Sequence, residues 1–201
     1  MMRARFAKAW RLLPVAVLLS ALGTGPAAAA SLDEAVAALK PGGLVLLMRH
    51  AQTTPGVGDP EGYTLDNCAS QRNLNDEGKA QSRALGEKLA ASGVEVGRTL
   101  SSVWCRSVDT ARLILESAGQ TEVVVERYEP LNSTWDERGA SEARATAVRK
   151  TISEWRGPGN LLMVSHGVNI SAIIGRAPPQ GGFAVVAPTP DGLRVVIEAR
   201  P

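Results

Sequence analysis

The chain has 201 residues, of which 44% are hydrophobic and 21% are charged, and its formal net charge is +2. The first thirty residues hold four of the 22 basic residues and none of the 20 acidic ones, so the rest of the chain has a net charge of −2. This balance argues against a protein that binds nucleic acid or an acidic membrane surface, because either function needs clustered Lys and Arg on the folded domain. About 170 residues remain after this segment, enough for one domain with a sizeable core.

The N-terminal segment has the three-part layout of a secretory signal peptide. Basic residues precede an apolar run at 12–22, and a stretch of small residues ends at Ala30. Pro14 and the break at 23–26 leave the run shorter than the roughly 20 apolar residues needed to cross a bilayer. We therefore expect a signal peptide at 1–30, a single domain at 31–201, no membrane span after cleavage, and a periplasmic or secreted product.

The first element predicted after the signal peptide is a buried strand. Residues 43–48 form a continuous apolar run bounded by Pro41 and Gly42, as expected of a strand covered on both faces. The following segment, 52–71, is rich in Gly, Pro, Asp and Asn and predicts a long loop. Long loops inside compact domains are often functional, so this loop is a candidate cover for a site.

Helix and strand signals alternate through the rest of the chain. Asn75 is a good N-cap for a helix that should run to about Ser92 and stop at Gly93. The later predictions are strands at 99–103, 123–125 and 161–164, helices at 108–118, 145–155 and 168–174, and a final hairpin of strands at 183–187 and 193–197. This alternation predicts an α/β fold, a three-layer αβα sandwich with a mostly parallel central sheet.

Polar clusters follow three of the predicted strands. Arg49 and His50 follow the first, Arg106 lies just after the second, and His166 follows the fourth. In open α/β sheets, ligands bind outside the carboxyl ends of the strands, so we expect these four side chains to share a site.

Their chemistry suits a phosphoryl group. Arginine forks match phosphate oxygens, so Arg49 and Arg106 are predicted to bind the group and stabilise its charge. Histidine has an ordinary pKa of about 6.5 and can act as a neutral nucleophile. The hypothesis is that His50 attacks phosphorus and water then releases phosphate. His166, at a predicted helix N-terminus, would donate hydrogen bonds to the same oxygens, and no metal or cofactor is required.

Four motifs in order resemble one known family. Leu-Met-Arg-His-Ala at 47–51, Arg-Asn-Leu-Asn-Asp-Glu-Gly at 72–78, Ser-Ser-Val-Trp-Cys-Arg-Ser-Val-Asp-Thr-Ala at 101–111 and Val-Ser-His-Gly at 164–167 are similar to motifs of the histidine phosphatase superfamily, which has the phosphoglycerate mutase-like fold. The resemblance covers essentially all of the predicted domain.

The resemblance implies the same phosphohistidine mechanism, with His50, Arg49, Arg106 and His166 as the phosphate pocket. It also implies that Arg72, Thr53 and Asn169 line the rim of that pocket. The alternative for Arg72 is a surface salt bridge. The alternatives for Thr53 and Asn169 are ordinary roles in a loop and a helix cap.

Two positions depart from the family pattern. Ala51 stands where the family usually has Gly, a change that matters only if the backbone there needs a positive φ. Ser133, in Leu-Asn-Ser, stands where the mutase-like branch has the Glu that protonates the leaving group. Asp136 is the favoured replacement, and Glu129 and Glu137 are alternatives. The other explanation is a leaving group that needs little help.

The resemblance also favours a substrate class. Short exported members of the superfamily act on phosphorylated sugars of the lipopolysaccharide core, and this chain is similar to them in its leader, its Leu-Asn-Ser stretch and the placement of Cys68 and Cys105. We expect a phosphomonoesterase acting on a phosphorylated small molecule or envelope sugar. The alternatives are a phosphoprotein or phosphohistidine phosphatase and a catalytically silent phosphate-binding module. The two cysteines form either a disulfide, which export allows, or two buried thiols.

Overall fold

The computed structural model describes residues 31–200, and the predicted signal peptide at 1–30 lies outside the described residues. The α-helices are α1 (Leu32–Leu39), α2 (Asp76–Ala91), α3 (Cys105–Ser117), α4 (Ser141–Ser153) and α5 (Gly167–Ile174). The strands are β1 (Val45–Arg49), β2 (Val96–Ser101), β3 (Val125–Arg127), β4 (Asn160–Ser165), β5 (Phe183–Thr189) and β6 (Gly192–Ala199). Within this range, no helix is long and apolar enough to span a bilayer.

The strands form one sheet in the order β3-β2-β4-β1-β5-β6. The pairs β2/β3, β2/β4 and β1/β4 are parallel, whereas β5 pairs antiparallel with both β1 and β6. The mostly parallel α/β sheet predicted from the sequence is therefore confirmed, and the predicted C-terminal hairpin is present as β5 and β6.

The core lies on both faces of this sheet, as a three-layer sandwich requires. Leu46 and Met48 of β1 belong to a buried cluster that includes residues of α1, α2 and α3. Val45 and Leu47, which alternate with them, belong to a second cluster that includes residues of α4 and α5. Successive side chains of a strand point to opposite faces of the sheet. The apolar run of β1 is continuous because each face packs in one of these two buried clusters.

Helix α2 begins and ends where the sequence predicts. Asn75 caps it by accepting a hydrogen bond from the Gly78 backbone N–H at 2.8 Å, and Gly93 follows it with φ +65°. Helix α1 is an element that the sequence reading missed. Its signal is a capping box in which Ser31 and Glu34 satisfy each other's backbone N–H groups.

The topology brings the ends of three strands to one edge of the sheet. Strands β1, β2 and β4 are parallel neighbours that end at Arg49, Ser101 and Ser165. The residues that follow them must therefore emerge side by side, and this edge carries the candidate site.

Candidate active site

The four core residues predicted from the sequence meet in one cavity of about 650 Å³. Arg49 ends β1 and His50 follows it, Arg106 lies in the first turn of α3, and His166 is the N-cap of α5. We call these four residues the floor of the cavity. Its other lining residues come mainly from 58–63 and 133–136, which we call the rim.

His50 is fixed by the backbone on both sides. Its backbone N–H donates to the Ser165 carbonyl at 2.9 Å, and its ring Nδ1 lies 2.8 Å from the Ala51 carbonyl oxygen. A carbonyl can only accept, so Nδ1 carries the ring hydrogen and Nε2 keeps its lone pair. Burial lowers the pKa of His50 to about 3, and the nearby charges of Arg106 and Arg49 act in the same direction.

Ala51 fits this geometry without strain. Among residues 31–200, every residue with a positive φ is a glycine, so the backbone at Ala51 does not need the conformational freedom of Gly. Its buried N–H donates to the Thr110 hydroxyl at 3.0 Å. The departure from the family pattern at this position therefore leaves the turn after His50 intact.

His166 is the second ring of the floor. Its Nε2 lies 2.8 Å from the Ser102 hydroxyl, and its ring centroid lies 5.3 Å from those of both His50 and Trp104. Burial lowers the pKa of His166 well below its ordinary value, and His50 and the arginines add to the effect. Both histidines are therefore neutral at physiological pH.

Three arginines give the cavity its positive charge. Arg49, Arg72 and Arg106 each have a buried Nε that has no hydrogen-bond partner among the described residues. Buried donors are normally paired, so three such donors around one cavity indicate an anion site. Burial lowers the pKa of Arg49 and of Arg106, although both remain fully charged at physiological pH.

Arg72 lines this cavity. Its Nη1 donates to the Val57 carbonyl at 2.5 Å, which draws the loop after His50 towards the site. The role in substrate binding that the family resemblance implies for Arg72 stays a prediction.

Thr53 and Asn169 are not among the lining residues of the cavity. Thr53 is buried and its hydroxyl accepts a hydrogen bond from the Gln180 side chain at 3.2 Å. Asn169 is buried in α5, where it donates to the Asn132 carbonyl at 2.6 Å and accepts from the Thr134 backbone N–H at 3.3 Å. Both residues therefore connect chain segments around the site, and Asn169 does so from inside α5, whose N-cap is His166.

The candidates for the general acid are separated by their positions. Asp136 lies at the cavity with an exposed side chain. Glu129 and Glu137, the other two candidates, do not line it and instead bind Arg144 at 2.7 and 2.8 Å. Of the three, Asp136 alone is placed to meet a bound ester.

Asp59 is a site residue that sequence reasoning missed. Its carboxylate lies 2.9 and 3.2 Å from Nη1 of Arg106, and it accepts the Arg72 backbone N–H at 3.0 Å. The sequence marked the loop 52–71 as a cover for a site, but it carried no signal that this particular carboxylate reaches an arginine 47 positions away.

A disulfide joins Cys68 to Cys105, with their Cα atoms 5.6 Å apart. The sequence left this pairing open. Cys105 directly precedes Arg106, and its backbone N–H donates a hydrogen bond to the side-chain oxygen of Gln71 in the loop at 3.0 Å. The bond therefore fastens the loop after His50 to the start of α3. Within residues 31–200, no group of three or more His, Cys, Asp or Glu is placed to hold a metal ion.

Known sequences are similar to part of this chain. Residues 45–132 match the family model of the histidine phosphatase superfamily, branch 1. The 2,3-bisphosphoglycerate-dependent phosphoglycerate mutase of Caulobacter vibrioides is 42% identical over 91 residues, which are 44% of this chain and 35% of that mutase. The mutase of Caulobacter sp. (strain K31) is 32% identical over 92 residues. The chain thus matches about a third of the length of these curated relatives, 35% in each case.

Solved structures share the fold at low sequence identity. A phosphoglycerate mutase from Bacillus anthracis superposes with a TM-score of 0.59 at 18% identity, covering 78% of this chain and 93% of that one. A mycobacterial glucosyl-3-phosphoglycerate phosphatase superposes with a TM-score of 0.57 at 19% identity, covering 79% and 99%. The chain is therefore similar to the histidine phosphatase superfamily over residues 45–132, and it shares its fold with these solved structures.

Proposed function

We propose that this chain is a metal-independent phosphomonoesterase that transfers a phosphoryl group to His50 and then to water. One observation carries the proposal: a neutral histidine, with its lone pair on Nε2, lines a cavity beside three arginines whose Nε atoms have no partner among the described residues. The low pKa of His50, about 3, keeps the nucleophile unprotonated at any physiological pH.

The arginines would bind the phosphoryl oxygens. The planar guanidinium groups of Arg49, Arg72 and Arg106 offer donors that match these oxygens, and their charges offset a dianionic ester. The protein supplies these donors already buried, so little reorganisation is needed when charge spreads over the oxygens in the transition state.

His166 would complete the phosphate pocket. When Ser102 donates its hydroxyl hydrogen to Nε2, the ring hydrogen of His166 lies on Nδ1 and can be donated to a phosphoryl oxygen. Because His166 is the N-cap of α5, the positive end of that helix lies beside the same oxygens.

The rim supports a phosphorylated sugar as the substrate. It includes Tyr63 and Trp135, whose aromatic faces can pack against a sugar ring, and Glu61 and Asp136, which can accept hydrogen bonds from hydroxyl groups. A solved relative named as a glucosyl-3-phosphoglycerate phosphatase acts, by its name, on a sugar-linked phosphate. The volume of the cavity, about 650 Å³, falls within the usual range for small-molecule sites.

The predicted signal peptide indicates where the enzyme would act. Residues 1–30 have the pattern of a signal peptide, and the enzyme would then meet its substrate in the periplasm or outside the cell. A phosphorylated sugar of the lipopolysaccharide core is the substrate that this location and the rim chemistry favour together.

The alternative of a phosphoprotein or phosphohistidine phosphatase predicts a shallow, open site. The loop after His50 instead lines the cavity with residues 58–63, and its Asp59 binds Arg106. A cavity walled by this loop favours a small ester over a protein side chain. A catalytically silent phosphate-binding module would keep the arginines but turn over no ester.

The test is hydrolysis of a panel of phosphate monoesters by residues 31–201, with and without a chelator. We expect turnover that resists the chelator and falls on the order of 10⁴-fold or more in His50→Ala, because the nucleophile is removed. Rapid quenching should trap phosphate on the wild-type protein and not on this variant.

Arg98→Ala is the matched control, because Arg98 is an exposed arginine bound to Glu126 and lies outside the cavity. Inhibition by the chelator, or turnover that persists in His50→Ala, would exclude the histidine mechanism. Phosphate binding without turnover of any ester would favour the silent module.

A further inference from the structure

The proposed reaction needs a proton donor for the leaving oxygen, and neither histidine can supply it. Burial lowers the pKa of both His50 and His166, so both rings are neutral at physiological pH. Three carboxyl groups line the cavity and could carry a proton: Asp59, Glu61 and Asp136. The acid must therefore be sought among them.

Asp59 differs from the other two in its surroundings. Its side chain is 16% exposed, whereas Glu61 and Asp136 are exposed residues of the rim. Its carboxylate contacts Arg106, a floor residue that is itself 3% exposed. Asp59 is thus the cavity carboxylate that lies against the phosphate-binding arginines, where the bond to the leaving oxygen breaks.

A bound phosphate ester would compete with Asp59 for Arg106. In the free protein, Nη1 of Arg106 donates to both carboxylate oxygens of Asp59, while Nε of Arg106 has no partner among the described residues. A dianionic phosphoryl group is the stronger ligand for a guanidinium fork. When it takes Arg106, the carboxylate loses its counter-ion and gains a like charge beside it, and both changes favour its protonated form.

We propose that Asp59 is the general acid of this enzyme, released from Arg106 by the phosphate ester and then protonating the leaving oxygen. This inference rests on the proposed function. In this proposal, the ion pair with Arg106 holds the Asp59 side chain in place at the site until a substrate arrives.

When the ester displaces Asp59 from Arg106, the carboxylate takes up a proton from solvent. Nε2 of His50 then forms a bond to phosphorus while the bond from phosphorus to the leaving oxygen breaks. The electron pair of that bond stays with the leaving oxygen, which takes the proton of Asp59 and departs as an alcohol. In the second step, the Asp59 carboxylate takes a proton from water as the water oxygen attacks phosphorus. The phosphorus–nitrogen bond breaks, phosphate leaves and neutral His50 is restored. Asp59 gives its proton back to solvent when it binds Arg106 again.

The experiment compares two esters in Asp59→Asn. Glucose 6-phosphate has an alkoxide leaving group that needs a proton, whereas p-nitrophenyl phosphate releases a stable phenolate that does not. We expect kcat/KM for glucose 6-phosphate to fall about 100-fold, as for loss of a general acid. The aryl ester should fall far less, because kcat/KM reports only the steps up to phosphoryl transfer.

Two controls separate the acid from its neighbours. Asp136→Asn should keep the wild-type ratio of the two kcat/KM values, and Asp33→Asn, at an exposed residue paired with Lys88, should leave both values unchanged. Asn at position 59 keeps the size of Asp and an oxygen for the Arg72 backbone N–H, and urea unfolding of the variant should show that the fold persists.

Other outcomes overturn the inference. Equal losses on both esters would mean that Asp59 only positions Arg106, and gains on both would make it a competitor of the substrate. A selective loss in Asp136→Asn would assign the acid to Asp136. If the wild-type protein hydrolyses neither ester nor any other of the panel, the proposed function itself fails, which is a separate result.

Discussion

The floor and the rim of the cavity are held in different ways. His50 and His166 directly follow strands of one sheet, and the backbone of His50 is bonded to the neighbouring strand at Ser165. The rim lies on irregular chain and reaches the floor through side chains, among them the Asp59–Arg106 ion pair. The difference implies that the proposed phosphoryl transfer depends on residues fixed by the sheet, whereas the proposed recognition of the leaving group depends on a few side-chain contacts, each of which a single mutation can remove.

Arg106 is a floor residue that also binds Asp59 of the rim, so its removal should have the largest effect on activity. In Arg106→Ala, we expect kcat/KM for any hydrolysed ester to fall about 10³-fold, because a transition-state guanidinium is lost. Arg106→Lys should recover only part of this loss, since an ammonium group lacks the planar fork. Steady-state kinetics beside the Arg98→Ala control would measure both effects. A loss below about tenfold in Arg106→Ala would contradict a role in binding the phosphoryl group.

The disulfide between Cys68 and Cys105 is the covalent link between rim and floor, and its removal comes next in size. It closes a loop across 37 positions, for which chain entropy predicts a loss of about 4 kcal/mol in the free energy of unfolding, with measured cases commonly about 2–4 kcal/mol. We expect this loss in Cys68→Ala/Cys105→Ala by urea unfolding. KM should also rise, because the loop that carries Asp59 is held less tightly.

Reduced wild-type protein is the control for that experiment and should match the double variant in stability and KM. If reduction and mutation both leave the free energy of unfolding unchanged, the link does not restrain the unfolded chain. If stability falls while KM stays constant, hydrogen bonds such as that of Gln71 are enough to hold the loop in place. The disulfide would then stabilise the fold without positioning the rim for the substrate.

The floor could be predicted from the sequence more completely than the rim, of which only Asp136 was singled out, and the reason is physical. Each floor residue lies directly after an apolar strand or in the first turn of a helix, and parallel strands place such positions at one edge of the sheet. Arg49, His50, Arg106 and His166 are accordingly found together. The rim depends on contacts between distant side chains, which no local pattern encodes.

Two of the three residues that the family resemblance assigned to the edge of the pocket illustrate this limit. Thr53 and Asn169 are close in sequence to the two histidines, yet their side chains bond Gln180 and Asn132 and do not line the cavity. Asp59 lines it, although nothing in the sequence distinguished it from the other acids of the loop. Helix α1 was not predicted for a simpler reason, because its capping box lies directly after the expected cleavage site.

The smallest effect that we predict concerns the buried charge state of the floor. The pKa of His50 is about 3 in the folded protein and about 6.5 in an unfolded chain, so below pH 6.5 the unfolded state binds a proton that the folded state does not. Stability must therefore fall as pH drops from 6.5 towards 3. Between pH 7 and pH 5, where most carboxylates stay ionised, His50 should account for about 2 kcal/mol of lost stability. Urea unfolding of the wild type and of His50→Gln at both pH values isolates this amount, because other groups cancel in the difference. Equal slopes in the two proteins would mean that folding does not shift the pKa of His50, so the burial of the floor would not be what keeps this histidine neutral.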